Sequence, residues 1–329
     1  MPISPFLLFP FLLFVFLINS IFINVTFFSY FCKFEIKYLM EVYSHIDPET
    51  ITPKHVDIQK VLANKNVNLP KWLVRWVERL LHLDEINYVI YHHRDKFGLD
   101  FVHAFLEGTG PHDLNVSVEV VNAENLPQEG YPIVAGNHPL GGPDGLALMG
   151  AIGRYRQDIK FPVNDFLLYL PGPAPLFVPI DKVHRNTANV NALEEAFAGK
   201  NALLYFPAGL CSRKQKGGEI HDLEWKPTFI KKAVRYHRDV VPFFFEARNR
   251  ERFYNLARLR ERLGIKFNFE MALLPAEMFA QRGKKLKLIV GKSIPYTVFD
   301  NSHTPKQWAQ MVQDYCYRLQ KDPSALFLN

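Results

Sequence analysis

The chain has 329 residues, 48% of them hydrophobic and 22% charged, with a formal net charge of +6 and a pI near 9.0. This apolar content is ample for one large domain or two modest ones, and three widely spaced cysteines (Cys32, Cys211 and Cys316) argue against a disulfide framework or a metal cluster. The positive charge suits anionic partners such as a membrane surface or phosphate groups, but no motif supports binding to nucleic acid.

Residues 1–39 form a hydrophobic N-terminal segment, and residues 1–32 carry no charged side chain. This length would span a bilayer, and Lys33 and Lys37 would then place the following residues in the cytoplasm. A secretory signal fits poorly because there is neither a basic start nor a small-residue cleavage site. The same Phe- and Ile-rich composition is also expected from AT-rich DNA translated from a start upstream of Met40. The segment is therefore either a membrane anchor or a misassigned start.

Residues 40–110 are predicted to form a helical N-terminal region. Residues 41–67 are polar and irregular and predict a lead-in segment. A helix follows, with Pro70 in its first turn, and residues 86–105 continue as helix with a break near Gly98. The apolar face of the first helix contains Leu69, Trp72, Leu73, Trp76, Leu80 and Leu83. Because the helix carries two tryptophans and three basic residues, Lys71, Arg75 and Arg79, it either contacts a membrane surface or packs on the catalytic core.

Strands and helices alternate through residues 111–329, which we assign to a single domain. The sequence predicts strands near 114–120, 131–136, 159–163, 176–180, 201–206, 240–246 and 285–290. It predicts helices near 144–153, 188–198, 227–237, 250–263, 275–282 and 305–320. This order indicates an α/β fold, with a mixed, largely parallel sheet flanked by helices behind the helical N-terminal region.

The most informative motif follows the strand at 131–136, between Val134 and Gly145. This Gly-rich turn holds His138, and Asp144 lies six positions further on. A histidine at a strand end with a carboxylate nearby is a plausible base and orienting group, and the glycines let a substrate approach the backbone closely. A tight turn with a surface histidine is the alternative interpretation.

Four short blocks in order resemble the signature blocks of the glycerolipid (lysophospholipid-type) acyltransferases. The resemblance covers most of residues 45–320, and the most similar branch is the bacterial proteins described as glycerol acyltransferases or haemolysin-like proteins. The blocks are Asn137-His138 with Asp144, then Phe177 to Lys182, then Phe206-Pro207-Ala208-Gly209 followed by Ser212-Arg213, and finally Val241-Pro242-Phe243.

Three positions depart from the usual pattern of these blocks. Five residues rather than four separate His138 from Asp144, and the neighbouring glycines could absorb the extra one. Lys182 replaces an arginine, so it keeps the charge but not the planar fork that binds a phosphate bidentately. Ala208 replaces a glutamate, so the function of that carboxylate is either absent or supplied by another residue.

The resemblance implies acyl transfer with His138 as general base and Asp144 as the residue that holds its tautomer. No covalent enzyme intermediate is needed, because a thioester donor is already activated, and the chain lacks the Gly-x-Ser-x-Gly elbow of serine hydrolases. Backbone N–H groups at Gly141, Gly142 or Gly209 are candidates for stabilising the oxyanion.

Substrate contacts are expected just after the parallel strands, where the basic residues and the third block lie. The carboxyl ends of parallel strands meet at one edge of the sheet, so these residues should lie close together. Lys182 and Arg213 are the preferred phosphate contacts, and Arg185 lies close to Lys182 in sequence. The remaining predicted substrate-binding residues are Phe206, Pro207 and Gly209 of the third block.

The expected reaction moves a fatty acyl group from acyl-CoA or acyl carrier protein, as co-substrate, to a glycerolipid-type acceptor such as a lysophospholipid or glycerol phosphate. We expect no bound cofactor or metal, and a location at the cytoplasmic face of the inner membrane, either peripheral or through one N-terminal anchor. Two alternatives stay open at this point. One is a non-catalytic lipid- or membrane-binding protein on the same fold, and the other is an N-acyltransferase that acts on an amino-acid head group.

Overall fold

The computed structural model describes residues 47–64, 69–164, 167, 170–180, 187–266 and 268–328. The hydrophobic segment 1–39 lies outside these residues, so the choice between an anchor and a misassigned start stays a prediction. Within the described ranges, no helix combines the length and the apolar character that a membrane span requires.

Four helices precede the sheet in the described residues: α1 (Ile58–Asn64), α2 (Lys71–Leu80), α3 (Leu83–His92) and α4 (Leu99–Glu107). The expectation of an irregular lead-in over residues 41–67 is therefore wrong for α1. The predicted break at Gly98 is present, with φ at +58°, a conformation that glycine adopts without strain. Helix α4 packs through Val102 and Leu106, which are 0% and 1% exposed, so this region shares the main hydrophobic core.

The predicted strands and helices beyond residue 110 are all present within a few residues of their expected bounds. The strands are β1 (Ser117–Val121), β2 (Ile133–Gly136), β3 (Ile159–Asn164), β4 (Phe177–Ile180), β5 (Ala202–Tyr205), β6 (Arg213–Lys214), β7 (Ile220–His221), β8 (Val240–Glu246) and β9 (Lys285–Val290). The helices are α5 (Pro143–Gly153), α6 (Thr187–Ala198), α7 (Thr228–Tyr236), α8 (Glu251–Arg262), α9 (Leu274–Phe279) and α10 (Pro305–Lys321). The small hairpin β6–β7 was not anticipated.

Seven strands form one sheet in the order β1-β9-β8-β2-β5-β3-β4. Every neighbouring pair is parallel except β8 and β9, which confirms the mixed, largely parallel sheet. Because β2, β5 and β8 are parallel neighbours, the residues that follow them come together at one edge. Ligands bind at this edge in open α/β sheets.

Helices cover both faces of the sheet, as predicted. Neighbouring residues of a strand point to opposite faces, so Ile133 packs with α6, α7 and α10, whereas Val134 packs with α4 and α5. Both side chains are 0% exposed. Burial on the two faces fixes the register of β2, and with it the position of the turn that follows.

Candidate active site

The turn that carries His138 is attached to the sheet through Asn137. The Asn137 side-chain amide donates to the Phe245 carbonyl at 3.0 Å, and its oxygen accepts the Phe245 N–H at 2.6 Å. Asn137 is 2% exposed, and its side chain bonds to the backbone of β8 just beyond the last residue of β2. These two bonds hold the residue before His138 at the carboxyl edge of the sheet.

His138 and Asp144 are in direct contact. The His138 Nδ1 lies 2.9 Å from Asp144 Oδ2, which also accepts the N–H of Leu140 at 2.8 Å and of Gly141 at 3.2 Å. Asp144 is fully buried in the first turn of α5. The extra residue between His138 and Asp144 is therefore absorbed inside a turn that wraps around the carboxylate.

The environment of Asp144 keeps it ionised. Burial by itself would raise the pKa of Asp144, but the charge of His138 and the hydrogen bonds from His138, Leu140 and Gly141 lower it below its ordinary value. An ionised carboxylate accepts the Nδ1 proton, so Nε2 is left as the basic nitrogen. That Nε2 makes no hydrogen bond to the described residues, and 14% of the His138 side chain is exposed. The ring can therefore accept a proton from an incoming group.

Phe206 of the third block supports the imidazole face of His138. The two rings are stacked with centroids 4.1 Å apart and planes 16° apart. Phe161 and Phe243 contact Phe206 edge-on, at 5.6 and 6.0 Å between centroids. The sequence predicted Phe206 as a substrate-binding residue, which stays a prediction; in the structure its ring holds the imidazole of His138. Pro207 is buried, and its carbonyl accepts the N–H of Lys226 at 3.1 Å.

Two of the three candidate oxyanion donors have other partners. The Gly141 N–H points to Asp144, which corrects the expectation for this glycine, and the Gly209 N–H donates to the Phe206 carbonyl at 3.0 Å. The Gly142 N–H makes no hydrogen bond within the described part of the chain. A Cβ added at Gly142 would meet nothing within 4 Å, so open space lies beside it. Gly142, at the N-cap of α5, is the remaining candidate.

The expectation that Arg213 contacts a phosphate is wrong, because its guanidinium is buried and paired. Its Nη2 lies 3.0 Å from Glu270 Oε1, its Nη1 donates to the Cys211 carbonyl at 2.9 Å, and only 6% of the side chain is exposed. Arg260 approaches the same buried carboxylate at 3.0 Å. The other predicted cations, Lys182 and Arg185, lie outside the described residues.

Comparison with known proteins identifies the family of this chain. A family model described as acyltransferase matches residues 59–325. The chain belongs to this acyltransferase family. Two curated relatives, from Phocaeicola vulgatus and Bacteroides thetaiotaomicron, are named lyso-glycine lipid O-acyltransferase. They are 44% and 45% identical over 270 residues, which cover 80% of this chain and 95% and 97% of theirs.

A solved structure, the 1-acyl-sn-glycerophosphate (LPA) acyltransferase PlsC from Thermotoga maritima, aligns over 88% of this chain and 97% of its own at 16% identity and a TM-score of 0.41. The resemblance inferred from the four blocks is confirmed by the family match and the curated relatives. The protein is an acyltransferase, and members of its family use an acyl donor and a lipid-type acceptor.

This acyltransferase also has a buried carboxylate at the His138 turn of the candidate site that the motifs did not reveal. Asp222 accepts the backbone N–H of His138, with both carboxylate oxygens 3.2 Å from the nitrogen. From its position before the helix at 227–237, Asp222 was expected only to border the pocket, because it lies 84 positions from His138 and outside the four blocks. The contact between the Lys226 N–H and the Pro207 carbonyl places this segment against the third block, next to Ala208, where the usual glutamate is absent.

Asn249 is a second residue of the candidate site that the sequence did not identify. Its side-chain amide lies 3.4 and 3.3 Å from the carbonyls of Pro139 and Leu140, and it is 1% exposed. Because Asn249 follows β8, it reaches the histidine turn from the neighbouring parallel strand. An asparagine after a strand is a weak local signal, so its contact could be found only from the topology.

Two further observations concern the thiol and the possible metal ligands of the acyltransferase. Burial raises the pKa of Cys211 to about 11, so this thiol beside Gly141 is protonated at neutral pH and is a poor nucleophile. No group of three or more His, Cys, Asp or Glu side chains in the described ranges is arranged to hold a metal ion.

Proposed function

We propose that this acyltransferase moves a fatty acyl group from a thioester, acyl-CoA or acyl carrier protein, to the hydroxyl of a lyso-lipid, with His138 as the general base. The single observation that carries the proposal is the hydrogen bond between His138 Nδ1 and the buried carboxylate of Asp144 at 2.9 Å. This bond fixes the tautomer and directs Nε2, which has no partner among the described residues, away from α5.

The reaction can be written with the residues of this turn. His138 Nε2 takes the proton of the acceptor hydroxyl as its oxygen attacks the thioester carbonyl carbon. The new C–O bond gives a tetrahedral oxyanion, for which the Gly142 N–H is the donor we propose. The C–S bond then breaks, and the imidazolium returns its proton to the leaving thiolate. Asp144 stabilises the imidazolium throughout, and the products are an ester and a free thiol.

The acceptor we propose is a lyso-lipid whose head group is of the glycine type rather than a phosphate. Two relatives are named for a lyso-glycine lipid. The buried pairing of Arg213 with Glu270 supports the same choice, because the cation of the third block is neutralised and kept from solvent. An acceptor held elsewhere, through a carboxylate or through its acyl chain, is compatible with this arrangement.

We also propose that the enzyme works at a membrane surface, on the cytoplasmic face of the inner membrane. In α2, Leu73 and Val74 are buried, whereas Trp72 and Trp76 are 63% and 44% exposed. Exposed tryptophans beside a basic residue such as Arg75 are typical of helices that lie in the membrane interface. One face of the helix packs on α3, and we propose that the face with Trp72 contacts lipid.

The test is acyl transfer by the purified full-length chain in anionic phospholipid vesicles, with radiolabelled acyl-CoA and acyl carrier protein as alternative donors. The acceptors are a lyso-glycine lipid, lysophosphatidate and glycerol 3-phosphate. We expect transfer to the lyso-glycine lipid, and loss of transfer in His138→Asn. Mild alkali cleaves an ester but leaves an amide intact, so it separates O-acylation from N-acylation. Transfer confined to the phosphate-bearing acceptors would refute the proposed acceptor, and an active His138→Asn would refute the proposed base.

A further inference from the structure

The backbone of His138 is fixed on both sides by residues that are distant in sequence. Its N–H donates to Asp222, with both oxygens 3.2 Å away, and its carbonyl accepts the Ser212 N–H at 2.8 Å. The ring position depends on the orientation of this peptide as well as on Asp144. The structure therefore holds the base through its main chain and, separately, through Nδ1.

Asp222 is itself held by hydrogen-bond partners from three parts of the fold. The Ser212 hydroxyl lies 2.5 Å from Oδ1, and the Trp225 indole N–H lies 3.0 Å from Oδ2. The Asp222 N–H donates to the Tyr317 hydroxyl on α10 at 2.8 Å. Asp222 is 4% exposed, and the groups that contact its oxygens are donors, which is the arrangement that an ionised carboxylate requires.

The described residues place two carboxylates, two buried thiols, a histidine and a tyrosine around the His138 turn. Asp144 from α5 contacts the ring, and Asp222 contacts the peptide. Behind Asp222, His221 stacks on Tyr317 with centroids 3.7 Å apart, and burial raises the pKa of Tyr317, so this phenol is neutral at neutral pH. Burial likewise raises the pKa of the Cys211 and Cys316 thiols, so both are neutral. Burial also raises the pKa of Asp222, opposed by the hydrogen bonds from Ser212 and Trp225 and by the charge of His138.

We propose that Asp222 is a positioning residue for catalysis, which orients the His138 peptide and adds a second negative charge that favours the imidazolium formed during transfer. This role rests on the proposed function of His138 as base and deepens it. The two buried carboxylates then have separate roles. Asp144 sets the tautomer of His138 through its bond to the ring, and Asp222 sets the orientation of the ring through its bond to the main chain. A carboxylate without catalytic influence would affect stability alone.

The substitution Asp222→Asn tests the charge while it keeps the shape. Its oxygen can still accept the His138 N–H, and its amide can donate to the Ser212 hydroxyl, so the fold should survive. We expect kcat to fall at least about tenfold with the acceptor KM within about twofold, because the loss is in the transition state. The acidic limb of the pH–rate profile should move to lower pH, since removal of a nearby negative charge favours the neutral imidazole.

A measurement that needs no substrate separates this proposal from the proposed function. In the NMR spectrum of the full-length protein, the His138 ring signals are identified by their absence in His138→Asn. In Asp222→Asn these signals should titrate at lower pH than in the wild type. If no acceptor is acylated by the wild type, the proposed function fails, but this titration still decides the influence of Asp222 on the ring.

The matched control is Asp113→Asn, which removes the buried carboxylate of a second His–Asp pair, between His93 and Asp113 at 2.8 Å. It should lower stability while kcat and the His138 titration stay unchanged. If Asp222→Asn does not fold, Trp225→Phe removes one donor to the same carboxylate and should lower kcat several-fold. Wild-type kcat and an unmoved His138 titration in Asp222→Asn, or wild-type kcat in a folded Trp225→Phe, would overturn the proposal.

Discussion

The substitution Asp144→Asn tests how the site produces a base. Asp144 Oδ2 accepts three donors, from His138 Nδ1, Leu140 and Gly141, and Oδ1 accepts the Gly145 N–H at 3.0 Å. The asparagine oxygen can accept the same three donors only if it takes the place of Oδ2. The amide NH2 then takes the place of Oδ1 and faces the Gly145 N–H, so two donors point at each other. The charge that stabilises the imidazolium is lost in either orientation. A hydrogen bond to a charged group contributes about 1.5–3 kcal/mol, so kcat should fall about 10- to 150-fold.

The assay is release of free thiol from acyl-CoA, or from acyl carrier protein if that is the donor, at saturating acceptor, with kcat and KM measured separately. The acceptor KM should change little, because Asp144 is fully buried and does not reach the acceptor. Asp113→Asn again serves as the control, since it removes an equally buried partner of a histidine outside the site. A folded Asp144→Asn enzyme with kcat within twofold of the wild type would refute the assignment of His138 and Asp144 as base and orienting group.

Three further predictions concern stability. The pKa of Asp144 is lowered in the folded state, so its contribution to stability is present above the ordinary aspartate pKa of about 3.9 and is lost as pH falls through the folded value. The Tm difference between wild type and Asp144→Asn should therefore shrink between pH 6 and pH 3, and a constant difference would contradict this. Gly141→Ala should lower the free energy of unfolding in urea by about 1–3 kcal/mol, because Gly141 has φ at +89° and a Cβ there would lie 2.9 Å from Leu274. Gly217→Ala, in open space at the β6–β7 hairpin, should leave the free energy of unfolding unchanged. Equal losses of this free energy in the two variants would show that the backbone strain and Cβ contact at Gly141 are not the cause. Arg213→Gln should cost about 3 kcal/mol and lower Tm by several degrees, because it removes one partner of a buried carboxylate; an unchanged Tm would show that the pair is not structural.

Much of the fold followed from local patterns. Alternation of apolar residues predicted the strands, and the last helix begins at the predicted residue 305, where Thr304 and Gln307 form a capping box. These features depend on residues that are close together in the sequence, so they can be predicted from one amino-acid sequence. The departure from the usual spacing between His138 and Asp144 did not prevent their contact, because a turn that contains glycine can close around a carboxylate in more than one length.

The contacts of the basic residues could not be predicted from local sequence patterns. Arg213 carried the same local signal as any basic residue after a strand, and it became a buried partner of Glu270, 57 positions away. Asn249 carried only a weak local signal, and Asp222 was expected only at the border of the pocket, not in contact with His138. Whether a charged side chain faces a ligand or another side chain depends on which carboxylates the topology brings beside it, and burial decides how strongly the two interact.

The sequence by itself therefore determined the α/β class, the elements that build the sheet and the identity of the histidine and aspartate at its edge, because these depend on spacing along the chain. Only the tertiary structure decided what surrounds that histidine: Phe206 against its ring, Asp222 against its peptide, and no available cation at Arg213. The physical reason is that residues far apart in sequence come together at the edge of the sheet where the parallel strands end. Contacts of this kind leave no periodic trace in the order of the amino acids.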